Sequence, residues 1–153
     1  MLLRAEENYM KFREETIKIV IPKILLLVLI QQINRHIEVL SYEQEAIDNF
    51  AICNNMDNAE MIMTKLFILM SEPNNKKQIL FELNIAEFLI LRDCVYCNNS
   101  LLHLQAKMKP QSIKVYKKFY EYIESIYGML DSDEVKAYWD YIKNYKIKGS
   151  ILQ

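Results

Sequence analysis

Cys94-Val95-Tyr96-Cys97, with His103 a short way on, is the one cluster in this sequence with the makings of a metal centre. Two thiolates at that spacing plus an imidazole would fill three of zinc's four tetrahedral positions, and Cys53 is a candidate fourth ligand from elsewhere in the chain. The match is partial. No second Cys-x-x-Cys follows, and no glycine-rich knuckle bends the chain around an ion. Buried or half-buried cysteines on a helix are the plainer reading, so no metal and no cofactor is expected; a small zinc-binding helical protein is the second alternative. A redox dithiol would sit between a strand and a helix N-terminus, and no strand is expected here. His36 falls at an expected helix end with no ligand-type neighbour at metal spacing and is read as a surface residue.

Other chemistry is harder still to assemble. Ser41, Ser71, Ser100, Ser112, Ser125, Ser132 and Ser150 lie in expected caps, loops or helix surfaces, none in a Gly-x-Ser-x-Gly turn. With only Gly128 and Gly149 in the chain, no glycine-rich phosphate loop can be built. A diiron bundle needs Glu-x-x-His, and neither histidine has a glutamate three residues before it. Adjacent carboxylates such as Glu14 and Glu15 read as a solvated helix face. The sequence therefore predicts a protein that is not an enzyme.

Composition bounds the scaffold that would carry any such site. The chain has 153 residues, of which 52% are hydrophobic, enough for one domain with its own core. Two glycines and three prolines are too few for a turn-rich sheet fold and favour long helices. A net charge of −1 gives no general pull on nucleic acid. Three cysteines make no disulfide framework and fit a reducing, cytoplasmic setting. No signal peptide is read at the N-terminus. Residues 17–30 are the one membrane candidate, but Lys18, Pro22 and Lys23 interrupt them. The clean part falls well below the roughly 20 apolar residues of a spanning helix, so a buried core helix is expected instead.

Hydrophobic spacing predicts seven or eight helices in a single domain over 1–153. The first covers about 3–20. The second opens at Pro22, runs to about Arg35, is apolar nearly all round and should sit centrally. Ser41 with Gln44 reads as a capping box that starts a third helix at Tyr42 and carries it to about Phe50. Asn54-Asn55-Met56 reads as a loop. Asp57 with Glu60 is a second box opening a fourth helix over 58–70, ended by Ser71-Glu72-Pro73. A fifth begins near Lys76, with an optional break at Asn84, and a sixth covers about 91–106 until Pro110 stops it. The seventh has the cleanest stripe: Ile113, Tyr116, Phe119, Tyr120, Ile123, Ile126, Tyr127 and Leu130 share one helical face, with Gly128 helping to end it. Asp131 with Glu134 caps an eighth helix whose inward face is Val135, Tyr138, Trp139, Ile142 and Tyr145.

The run Val39-Leu40-Ser41 with Glu43, Glu45 and Ile47, followed by Asp57, Ala59, Ile62, Leu66 and Leu69, resembles the middle of a caspase-recruitment domain, a six-helix member of the death fold. Pro22-Lys23-Ile24-Leu25-Leu26 is similar to the opening of that family's second helix, and Ile79, Leu80 and Leu83 to its fifth. The likeness covers about 5–90, and helices over 91–148 would pack on that part. It implies an all-α bundle, no chemistry, and capture of like domains through complementary charged faces. Glu38, Glu43, Glu45 and Asp48 would supply the acidic, partner-binding side. The basic side, Arg13, Lys18 and Lys65, is thin, which suits a one-faced binder or decoy; a homo-oligomer is also open.

A bundle of this size around one very apolar helix is also similar to the death-regulator fold of the B-cell-lymphoma family, including its viral members. That likeness implies a partner helix held in a groove, or an inhibitory surface turned on immune signalling in a host-virus setting. The expectation on either likeness is a non-catalytic protein-protein interaction module that regulates apoptosis or innate immunity. Its partner would be a protein, a death-fold domain or an amphipathic helix, with no nucleic acid and no membrane span.

Overall fold

Thr16-Ile17-Lys18-Ile19-Val20-Ile21-Pro22 is dense in β-branched residues, which lose rotamer freedom in a helix and fit a pleated surface. In a helix, residues two apart would point about 200° from each other. In a strand they share a face, and here Ile19 and Ile21 are both buried while Lys18 and Val20 face out. Gln78–Asn84 alternates in the same way, with Ile79, Phe81 and Leu83 inward. The computed structural model describes residues 10–46, 50–73, 76–96 and 109–152, with side chains over 10–42, 52–73, 76–96 and 109–142. Within these residues the two segments are strands, β1 (Thr16–Pro22) and β2 (Gln78–Asn84), paired antiparallel with Ile19 opposite Phe81 and Val20 opposite Leu80. The helix expected over 3–20 is thereby corrected to strand from Thr16 onward, and the one expected from Lys76 to strand over Gln78–Asn84. Five inward side chains from this pair join the core, at ~1.5–3 kcal/mol each before entropy, a burial no single helical face of either segment would achieve.

The rest is helical. A helical turn covers residues 10–14. A short 3-10 turn (Lys23–Leu25) leads into α1 (Leu26–Ala46); α2 (Phe50–Ser71), α3 (Ile85–Tyr96), α4 (Pro110–Leu130) and α5 (Asp133–Leu152) follow. The chain is thus mostly helical, with a small sheet inserted among its helices. One hydrophobic cluster takes buried residues from every one of these elements, from Phe12 to Ile142.

Two expected helix starts lie inside longer helices. Ser41 does not cap; its hydroxyl donates to the Glu38 carbonyl at 2.7 Å within α1. Asp57 sits in the second turn of α2, and Asn54-Asn55-Met56, read as a loop, is helical. Tertiary partners overrode the local preference of these asparagines. Asn55 Oδ1 lies 2.7 Å from His36 Nε2, Asn58 Nδ2 donates to Asn54 O and Oδ1, and Tyr138 Oη donates to Asn54 Oδ1 at 3.3 Å. His36 is therefore half-buried and bonded, where a surface residue was expected. With Leu40, Ile37, Ile52 and Met56 packed together, these contacts fix α1 and α2 as an antiparallel pair.

The most enclosed helix is α3, buried at Ile85 through Leu91 and again at Cys94 and Val95. α1, which holds most of the expected central helix, exposes Leu27, Asn34 and Glu38 along its length, and Ile24 is exposed in the turn before it. Its stretch Lys23–Tyr42 is long and apolar enough, by length and composition, to cross a membrane; 39% of its most apolar window is buried in this fold. Gln32 in that stretch donates to Tyr116 Oη, which donates on to Val95 O.

Among the described side chains the last two helices follow their expected stripes, with Tyr116, Phe119 and Ile123 of α4 and Val135, Tyr138, Trp139 and Ile142 of α5 buried; the side chain of Tyr145 lies outside the described residues. Pro110 opens α4 as its first-turn proline, since a missing N–H costs nothing there, and Gly128 lies within that helix. The cap of α5 is Ser132, whose hydroxyl accepts from the Val135 N–H; Asp131, the expected cap, faces Lys136 at 3.6 Å.

Candidate functional site

Asn84-Ile85-Ala86-Glu87 ends β2 and begins α3. The Asn84 side chain accepts from the Glu87 N–H at 2.7 Å, and the Asn84 N–H donates to Glu87 Oε1 at 2.9 Å. This reciprocal cap draws the Glu87 side chain back under the turn, where it is 1% exposed. Lys65 of α2 reaches the same Oε1 at 2.8 Å, and its ammonium lies 3.4 Å from the Glu82 carbonyl on β2. Glu87 Oε2 has no hydrogen-bond partner among the described residues.

Two adjoining clefts, of about 320 and 430 Å³, have Glu87 in their walls. Arg13, Asn84 and Glu87 line both. Thr16, Lys65, Glu82 and Leu83 complete the first, and Asp57, Asn58, Glu60, Met61 and Thr64 of α2 the second. Four carboxylates therefore face two cations, and Lys65 is already committed to Glu87. The arrangement can hold a donor or a positive charge.

A second surface feature lies beside it. Register parity sends the backbone groups of the odd-numbered sheet residues into the ladder, since the Lys23 N–H donates to Lys77 O and the Ile85 N–H to Glu15 O. The even-numbered ones face outward: the Val20 N–H donates to Tyr122 Oη of α4 at 3.0 Å. Pro22 falls at an even position, where no ladder bond is lost. The outer face of the sheet carries Val20 and Leu80, opposite each other and 39% and 60% exposed, beside Lys18 opposite Glu82. Ile24, Leu27, Phe67, Ile68 and Met70 are also exposed, at the end of the hairpin where α1 begins and α2 finishes.

The residues singled out from sequence are scattered. Glu38 is exposed on α1 and accepts from Asn34 Nδ2 at 3.3 Å. Glu43 and Glu45 fall in the last turns of α1, but their side chains, and the whole of Asp48, lie outside the described residues. Cys94 is buried in α3 and Cys53 half-buried in α2, while Cys97 and His103 lie outside the described residues. Among the described residues no group of three or more His, Cys, Asp or Glu is placed to hold a metal ion. Of the thin basic side, Arg13 and Lys65 meet at the cleft and Lys18 lies on the sheet. Glu87 was missed, although Asn-x-x-Glu ahead of an apolar run is a legible capping box.

Comparison with known protein families, with curated proteins and with solved structures finds no match.

Proposed function

We propose that this chain is a non-catalytic binding protein that captures other polypeptides, in the regulation of apoptosis or innate immune signalling that its likeness to caspase-recruitment domains implies. The observation that carries the reading is the exposed apolar group around the sheet and the open end of the α1–α2 hairpin. Single exposed apolar side chains are ordinary on a folded protein, but seven large ones gathered at one end of a small domain point to a surface that meets a partner. Lys65 touches Glu82; one turn further along α2 lies Ile68, and two residues back along β2 lies Leu80, so these two stand at neighbouring levels. Glu38, Glu43 and Glu45 fall in the second half of α1, away from that end; with Asp48, which follows α1 in the sequence and lies outside the described residues, they are the second surface in this reading. The stretch Lys23–Tyr42 is taken as a core helix of a cytoplasmic protein, because its bonded Gln32 and half-buried His36 face protein.

Capture from cell lysate with paired variants tests the proposal. Ile68→Glu with Leu80→Glu should abolish capture of a reproducible partner if the apolar end is the working surface. Glu38→Lys with Glu43→Lys and Glu45→Lys should abolish it if the acidic end is. Capture that survives both sets, with circular dichroism unchanged, rejects the reading.

A further inference from the structure

We propose that the cleft between α2 and the start of α3 is a binding site for a primary alkylammonium group, with Glu87 Oε2 as its central acceptor. The proposal stands apart from the apolar surface described above and concerns different residues.

The inference starts from an imbalance. A buried carboxylate oxygen without a donor is costly, and Glu87 carries one at a side chain 1% exposed. Its twin, Oε1, already accepts from Asn84 N–H and from Lys65. The remaining polar groups of the cleft are set up as acceptors too. Thr64 spends its hydroxyl proton on the Glu60 carbonyl at 3.0 Å, which leaves its oxygen lone pairs. Asn58 spends its amide N–H groups on Asn54, which leaves its carbonyl oxygen. Asp57 and Glu60 add negative charge on the same wall. A ligand must therefore bring donors and positive charge.

The donor geometry selects among cations. Calcium takes six to eight oxygen ligands and magnesium demands a regular octahedron, and no group of three or more acidic, His or Cys side chains is placed for either among the described residues. A guanidinium binds best across both oxygens of one carboxylate, and Oε1 is already doubly occupied. An ammonium concentrates three donors on one nitrogen and can use a single carboxylate oxygen together with separate neutral acceptors. Met61 lines the same wall and offers apolar surface for a methylene stem. The alkylammonium can arrive as a free amine or as a lysine side chain of another polypeptide. Arg13, exposed on the rim of both clefts, is the competing occupant from the chain itself.

Amide NMR titration of the full chain tests this with cadaverine, with Nα-acetyl-lysine N-methylamide, and with tetramethylammonium, which has charge but no N–H. The expected result is saturable shifts at Lys65, Asn84 and Glu87 with at least one of the two primary amines, about tenfold tighter than with tetramethylammonium. Tighter binding of the lysine amide assigns a polypeptide source; tighter binding of cadaverine assigns a free amine. Glu87→Gln should weaken binding about tenfold; should it fail to fold, the exposed Glu60→Gln carries the test and should weaken binding about threefold with unchanged circular dichroism. Absence of saturable shifts, equal response to tetramethylammonium, or binding seen only in Arg13→Gln overturns the proposal.

Discussion

Asn84 and Glu87 each hold the other's backbone N–H across the turn from β2 into α3, at 2.7 and 2.9 Å. The pair joins the only sheet among the described residues to the most enclosed helix, so its loss loosens both at once. Asn84→Ala removes the acceptor for the Glu87 N–H and should cost about 1 kcal/mol in chemical denaturation, whereas Asn84→Ser or Asn84→Asp should restore most of it. Trp139 is the single tryptophan and is buried, so its emission follows the transition. A loss equal for all three variants would show that the cap contributes nothing.

Lys65 is the only cation bonded to Glu87 among the described residues, and it is 34% exposed while its partner is buried. Lys65→Met strands a buried carboxylate without a charge partner. Full burial of the pair would make that loss about 3–5 kcal/mol, and partial solvation of Lys65 brings the expected cost to about 1–3 kcal/mol. Combining it with Glu87→Leu should recover part of the loss, since the double variant leaves no orphan charge. Additive losses in the double-mutant cycle would deny the coupling.

The helices were legible in the sequence where apolar residues recur at three and four, as along the 21 residues of α4. The stripe from Tyr116 to Tyr127 leaves a strand no way to gather those rings on one side. The strands were hidden because seven residues are too few to separate the two periods when Ile17, Val20 and Ile21 also fit a helical face. Their pairing is a relation between residues some sixty positions apart, which no local pattern expresses. The misplaced loop at Asn54-Asn55 has the same origin: these side chains are helical because His36 and Tyr138 meet them from other elements. Half of the candidate site could have been read, since Asn84-x-x-Glu87 is a local cap. The other half, Lys65 against Glu87, exists only once α2 lies across β2.

Alkaline pH should weaken the fold through two groups. Glu134 accepts from the Lys11 ammonium and adds its negative charge, with a smaller push from Glu15, so the Lys11 pKa is raised above its ordinary 10.5 despite some opposing desolvation. Burial raises the Tyr120 phenol above its ordinary 10.0, helped by Glu124 and Tyr96 and opposed by Arg92. Both groups hold more protons folded than unfolded. Their stabilisation is therefore complete below about pH 10 and is lost as pH climbs through the raised folded values. The thermal midpoint should be level from neutral pH to about 9.5, then fall, and fall less steeply in Lys11→Met and Tyr120→Phe. An unchanged slope in both variants would place the loss elsewhere.

Arg92 of α3 forks onto Glu124 of α4, Nε to Oε1 at 2.9 Å and Nη2 to Oε2 at 3.2 Å, with its guanidinium 3.7 Å from the Tyr127 ring centre. Arg92→Lys keeps the charge and loses both the fork and the flat stack, so it should cost about as much as Arg92→Gln, roughly 1–2 kcal/mol. Removing the cation should also shift the Tyr120 tyrosinate absorbance midpoint upward in Arg92→Gln but not in Arg92→Lys. A lysine variant as stable as the parent would show that charge alone matters there.

The Val20 N–H donates to Tyr122 Oη, so the outer edge of β1 is closed by one phenol from α4. Hydrogen exchange reads this bond separately from the ladder. Amides of Ile17, Ile19, Ile21, Ile79, Phe81 and Leu83 lie on ladder positions and should exchange slowly, while Lys18, outward on the same strand, should exchange fast. Val20 also faces outward, yet should be slow because of Tyr122. Tyr122→Phe keeps the ring and removes only the acceptor, so Val20 alone should speed up, by about fivefold to tenfold for a bond contributing about 1 kcal/mol. A helix over the same residues would protect consecutive amides without alternation. Uniform protection from Ile17 to Ile21, or a Val20 rate indifferent to Tyr122→Phe, would contradict the edge arrangement from which the outward face of Val20 and Leu80 follows.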